Sequence, residues 1–224
     1  MNLLKRLPIR YTGELHNVQL INFSVERKEV EPLVPWKIKI RDFNGRAMIS
    51  MVNVQLQHMH PTFLPESIYF NYQHIGFRLL VDDAYQNGGV HKGIYFIKSF
   101  TEKPIIAQGG RLFTDYNLET AEIIATNQML ALQQGEHYLT YALDENPPVL
   151  KDEKLKEHIG NIDRAYSILN GQIRKTQIQR ETWPIQWVNC YHFRTNFFKS
   201  ARLEGAFVVP ETIPYEWLPP QKWR

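Results

Sequence analysis

The sequence predicts a β-rich α+β fold. Apolar residues alternate at period two over most of the chain rather than at 3.6. The runs rich in β-branched and aromatic residues are short and are punctuated by Gly, Asn and Pro. Stretches with a helical pattern are few. With 224 residues, 43% of them hydrophobic and 12% aromatic, the chain can bury a sizeable core as one large domain or two small ones.

Strands are expected at 17–26, 36–42, 46–57, 67–82, 91–101, 119–127, 136–144, 164–169, 172–181 and 185–193. Between the second and third, Asn44 and Gly45 accept the positive φ angles of a type I′ turn and predict a hairpin. Asn87, Gly88 and Gly89 break the chain between the two long central strands. Asn170 and Gly171 predict a second hairpin, joining 165–169 to 172–179. Residues 28–33 can form a turn or two of helix before Pro35, and 104–114 suits a helix that opens on Pro104, although Gly109 and Gly110 weaken it. The stretch 151–159 is the best helix, with Leu155 and Ile159 one turn apart, and Gly160 stops it.

Composition excludes several classes. A net charge of +3, from 26 Lys and Arg against 23 Asp and Glu, is too mild for a dedicated nucleic-acid binder. The lone Cys190 rules out an internal disulfide framework and a Cys-rich zinc site, and it is compatible with a reducing cytosol. Lys5, Arg6 and Pro8 interrupt any signal-peptide core near the start, and no run approaches the roughly 18 apolar residues of a membrane span. The expected location is cytoplasmic, with no nucleic acid and no membrane among the partners. Asn22, Phe23 and Ser24 form a glycosylation sequon inside an apolar alternating stretch, and we read it as chance.

Candidate chemistry lies on five strand faces. His58 and His60 share a face if their strand continues that far, with Glu66 as the nearest carboxylate in sequence; a solvated loop end is the plainer reading, and no metal site is assigned. Lys37, Lys39 and Arg41 alternate with Trp36, Ile38 and Ile40, which gives either a solvated outer face or an anion-binding one. Ile94, Phe96, Lys98 and Phe100 share one face of their strand, so an inward orientation puts Lys98 in apolar surroundings that lower its pKa toward a usable nucleophile. Tyr72, His74, Gly76 and Arg78 alternate with the more apolar Ile75, Phe77 and Leu79; turned inward, Arg78 offers a planar bidentate cation with His74 as a titrating neighbour. Cys190 and His192 share a face, but nothing supplies an orienting group or an oxyanion donor, so Cys190 reads as a structural thiol. No nucleophile elbow, phosphate loop or dinucleotide fingerprint is present.

Several segments together resemble one family. Leu33, Val34 and Pro35 leading to Asp42, Phe43, Asn44, Gly45, Arg46 and Ala47 resemble the opening of the YqjF-like bacterial family, which carries a domain of unknown function. The strand ending in Phe77 to Val81, the run Gly93 to Phe96, Gly171 to Arg174 with Trp183 to Gln186, and the tail Tyr215 to Trp223 fit it in order. That family is similar in fold to acetoacetate decarboxylase. The resemblance implies a single domain over 1–224, built as a curved, largely antiparallel β-barrel or cone with a few short helices and an enclosed ligand cavity. The decarboxylase uses a Schiff-base lysine, whereas the matching stretch here, Gly110 to Glu119, contains none. Decarboxylase activity is therefore not carried over. The family tends to carry an acidic residue and an asparagine where this chain has His74 and Gly76, so only Arg78 transfers.

The expectation is a cavity protein that binds a small organic ligand, carboxylates among the candidates, without a cofactor. Arg78 orients the anion, and Tyr72, His74 and Tyr95 add polar contacts. The alternatives are an enzyme acting on a keto acid through Lys98, and a non-catalytic interaction module using the Lys37, Lys39 and Arg41 face. Self-association into a homo-oligomer is compatible with the sequence.

Overall fold

A computed structural model describes residues 8–222 apart from 84–90, 114–117, 145, 149–151, 160–161, 163, 170 and 181–183. In chain order its elements begin with β1 (Tyr11–Val25), α1 (Arg27–Val30), a 3₁₀ turn (Glu31–Leu33), β2 (Lys39–Ile40), β3 (Asp42–Phe43), β4 (Arg46–Pro61), β5 (Phe70–Asp83) and β6 (His91–Thr101). There follow α2 (Pro104–Phe113), β7 (Leu118–Thr120), β8 (Glu122–Ala125), β9 (Met129–Gln134), β10 (His137–Asp144) and α3 (Glu153–Ile159). The chain ends with β11 (Arg164–Leu169), β12 (Gln172–Arg180), β13 (Gln186–Thr195), β14 (Arg202–Val209), β15 (Ile213–Trp217) and β16 (Gln221–Lys222).

The β-rich expectation holds, and the turn chemistry explains two of its joints. Asn44 at φ 51° and Gly45 at φ 78° make the left-handed pair that closes the β3–β4 hairpin. Gly171 at φ 73° does the same between β11 and β12; its partner Asn170 and the Asn87 to Gly89 break lie outside the described residues. All three expected helices form. Asp152 opens α3 by accepting the Lys154 backbone N–H at 2.9 Å, and Leu155 and Ile159 are buried one turn apart.

Among the described residues the strands exceed the ten expected, because the sheet has sixteen. The stretch 119–127 divides into β7, paired parallel to β6, and β8, paired antiparallel to β9. β9, β14, β15 and β16 lie outside every expected range. Gly205 interrupts the strand pattern of β14, and a Cβ there would stand 2.9 Å from both Leu155 and Trp187. The stretch 36–42 also departs from a single strand: Trp36 and Lys37 form a turn, and the chain breaks at Arg41 between β2 and β3.

Pairings run from β4 through β5, β6, β11, β12 and β15 to β1, and β1 pairs back onto β4, so these strands close a ring. The far half of β1 carries β14, which leads through β13 and β10 to β9 and β8 as an outer layer. Two cores follow from the pleat, since successive side chains of β1, β4 and β5 point to opposite faces. Ile21, Ile49, Ile75, Phe77 and Leu79 pack outward against Leu130, Leu139 and Tyr141 of the outer layer. Leu15, Val52, Val54, Leu56 and Leu80 pack inside the ring with Ile178, Trp217 and the α3 residues Leu155 and Ile159. Asn22 is fully buried, so the folded sequon offers no glycosylation acceptor.

Candidate functional site

The inside of the ring does not fill with side chains. It encloses a chamber of about 470 Å³ walled by Val52, Val54 and Leu56 of β4, Ile94 and Phe96 of β6, Ile178 of β12 and Trp217 of β15. Phe63, Phe70 and Ile105 also line it, and Phe63 at 68% and Ile105 at 73% exposure mark its opening to solvent. The α2 residues Gly109 and Gly110 form part of the wall.

The polar groups arrive on β5. Because Ile75, Phe77 and Leu79 take the outer core, Tyr72, His74 and Arg78 are left on the chamber side, and all three line it. Arg78 is only 8% exposed. Its cross-strand partner Ser50 holds it twice, accepting from Arg78 Nε through its carbonyl and from Nη2 through its hydroxyl, each at 2.9 Å. A guanidinium stays charged under all ordinary conditions, so the chamber contains a fixed cation.

His74 is neutral beside it. Burial, and then the Arg78 charge, push its imidazole down to about 4. Gly76 makes the room: a Cβ there would lie 2.9 Å from His74 Nε2 and 2.8 Å from the Phe96 ring, so both rings close over the bare backbone. His74 and Phe96 meet edge to face at 6.2 Å. Burial raises the Tyr72 and Tyr11 phenols above their ordinary range, which keeps both as neutral hydroxyls at the chamber wall.

Lys98 and Tyr95 stand elsewhere, Lys98 because of a bulge and Tyr95 because it alternates with Ile94 and Phe96. Phe77 pairs with Lys98 and Arg78 with Phe96, so Ile97 is an extra residue in β6 and the alternation reverses across it. Ile94 and Phe96 face the chamber, whereas Lys98 and Phe100 turn to the outer core, with Lys98 Nζ 5.7 Å from the Phe197 ring centre. Tyr95 packs against the outer core as well. Lys98 therefore does not share a site with Arg78, and no lysine stands among the described residues that line the chamber.

The remaining candidates also shift. Arg41 is buried, not part of a solvated cationic face, and pairs with Asp82 at 2.7 Å while donating to the His158 and Val81 carbonyls. Trp36 is 88% exposed with Lys37 against its ring, instead of packing inward. His58 has φ 52° at an irregular step in the β4 pairing, so it leaves the face of His60 and joins His16 around Glu14, which the two histidines hold below the usual carboxylate range. His192, at φ 54°, is exposed while Cys190 packs in the outer core, where burial pushes the thiol up to about 12. Among the described residues no group of three or more His, Cys, Asp and Glu is placed to hold a metal, and no helix is long and apolar enough to cross a membrane. Sequence reasoning missed Tyr215 and Trp217, whose strand β15 follows an ordinary alternation of Ile213, Tyr215 and Trp217 that Pro214 disguises.

A family model described as DUF2071, an uncharacterized conserved protein, matches residues 12–217. Comparison with curated proteins gives no match. Among solved structures, an acetoacetate decarboxylase-like enzyme from Sphingomonas wittichii RW1 is similar with a TM-score of 0.63 at 9% identity, over 99% of this chain and 95% of that one. Acetoacetate decarboxylase from Legionella pneumophila gives 0.60 at 14% identity, over 96% and 86% of the two chains. The enduracididine biosynthesis enzyme MppR, complexed with pyruvate, gives 0.54 at 10%, over 98% and 91%. The fold is that of the acetoacetate decarboxylase-like proteins.

Proposed function

The chain belongs to the DUF2071 family of uncharacterized conserved proteins, and from that premise we propose that it is a ligand-binding protein whose chamber takes an organic carboxylate. The observation that carries this reading is a buried guanidinium, oriented by Ser50, on the wall of a mainly apolar chamber. A carboxylate matches the planar fork of a guanidinium and forms charge-assisted hydrogen bonds with it. His74 and Tyr72 add neutral hydrogen-bonding groups along the same strand. Phe96 and Trp217 supply the aromatic wall. One fold neighbour is described in complex with pyruvate, itself a carboxylate, which agrees with this class of ligand. We read the whole chain as one domain, because one hydrogen-bonded sheet runs through it, and its compartment as the cytoplasm. Nothing observed favours keto-acid chemistry at Lys98, whose ammonium lies against Phe197.

Thermal shift across a carboxylate library tests the proposal. At least one class of carboxylate is expected to stabilise the protein, and Arg78→Met is expected to remove that shift, with affinity falling tenfold or more. An unchanged shift in a folded Arg78→Met protein overturns the role given to Arg78.

A further inference from the structure

We propose that the ligand is an amphipathic monocarboxylate with a long apolar tail, its head at Arg78 and its tail directed at the mouth. This rests on the reading of Arg78 as the partner of the carboxylate and goes beyond it by fixing the class of molecule.

Volume is the first argument. At roughly 30 Å³ per water-sized group, the chamber of about 470 Å³ has room for about fifteen non-hydrogen atoms. A four-carbon keto acid, with about seven, would leave half of that space as empty volume or as water against aliphatic walls, and neither is favourable. A saturated acid of ten to twelve carbons fills it.

Polarity along the chamber is the second. Phe70, at the start of β5, is exposed, and Arg78, eight residues on, is buried. One strand thus runs from an apolar mouth to a charged inner end. Between them the facing strand contributes Val54 and Leu56, with no second charge. Arg78 is the one permanent cation among the described residues that line the chamber, and His74 beside it is neutral, which suits one carboxylate and disfavours a dicarboxylate. The third argument is the mouth. Phe63 and Ile105 are large apolar side chains left mainly in water at the opening, where the end of a tail would cover them.

Isothermal titration of the full chain with acetate, butanoate, hexanoate, octanoate and decanoate, with decanol and methyl decanoate as uncharged controls, tests the inference. Affinity is expected to rise about threefold to fourfold per added CH₂, and on the order of a thousandfold from butanoate to decanoate. Decanol and the ester bind at least tenfold more weakly than decanoate, and Arg78→Met erases that preference. Leu56→Trp, which fills the mouth side, flattens the dependence on chain length and serves if Arg78→Met does not fold. If butanoate binds as tightly as decanoate, the long-tail inference is overturned while the carboxylate reading stands. If decanol equals decanoate in the unsubstituted protein, the carboxylate reading fails. Absence of binding by every probe overturns both.

Discussion

His74 links the chamber to the pH dependence of folding. Its imidazole has a pKa of about 4 in the folded protein against 6.5 for a free histidine, because burial and the neighbouring Arg78 both penalise the charged form. Above pH 6.5 the residue is neutral in both states, and its folded environment costs nothing. As pH falls from 6.5 to about 4, the unfolded chain takes up a proton that the folded chain refuses, so stability declines through that window and levels off below it. The loss is at most about 3–4 kcal/mol, from about 1.4 kcal/mol per pKa unit. His158, also lowered by burial and by Arg41, acts in the same direction. The difference between the unsubstituted protein and His74→Phe therefore isolates His74: urea midpoints measured from pH 7.5 to 4 are expected to fall less steeply in the variant. Equal slopes would mean that His74 protonates freely inside the fold. A bound carboxylate reverses part of the penalty by favouring the imidazolium.

β6 shows what an element adds that alternation cannot reveal. Read at strict period two, its sequence puts Lys98 with Ile94 and Phe96. The structure separates them at Ile97, and that one extra residue moves the lysine from the chamber to the outer core. The same kind of irregularity separates His58 from His60 and His192 from Cys190, with left-handed backbone at Asn17, His58 and His192. The β-rich class and the Asn44–Gly45 hairpin were thus legible in the sequence, because local turn chemistry and alternation decide them; the chamber side of β5 was not, because both of its faces carry apolar residues. Bulges were not, since their position depends on how neighbouring strands must bend to close the ring. Arg41 is the counterpart at β2 and β3: it reads as a surface cation, yet it joins Asp82 of β5 to the His158 carbonyl in α3. Removing one partner of a buried pair strands the other, so Arg41→Ala is expected to cost about 3–5 kcal/mol, read as a shift in the urea midpoint. A loss below 1 kcal/mol would indicate that Asp82 is already satisfied by solvent.

Across the whole molecule, the long strands β1, β4 and β5 serve two interiors that differ in how completely they are filled. The outer core is densely packed around Leu79, which is fully buried near the interlocking rings of Phe23, Phe77, Phe100 and Phe198. Leu56, on the inner face, is almost as well hidden at 7% exposure, yet it borders the chamber. Burial by area makes the two residues nearly equivalent. Packing does not, because a side chain beside a void lacks partner atoms on one side and leaves little new cavity when it is shortened. Leu79→Ala should therefore cost about 3–5 kcal/mol, as transfer and cavity contributions add. Leu56→Ala should cost about 2 kcal/mol or less, close to the transfer contribution alone. Urea unfolding of the two variants, with matched m-values, provides the comparison. Equal costs would show that the inner face is packed as tightly as the outer and would remove the space the ligand needs. A smaller cost at Leu56, recovered when decanoate is added to the unsubstituted protein as extra stability, ties the incomplete packing of the ring to the occupant it holds.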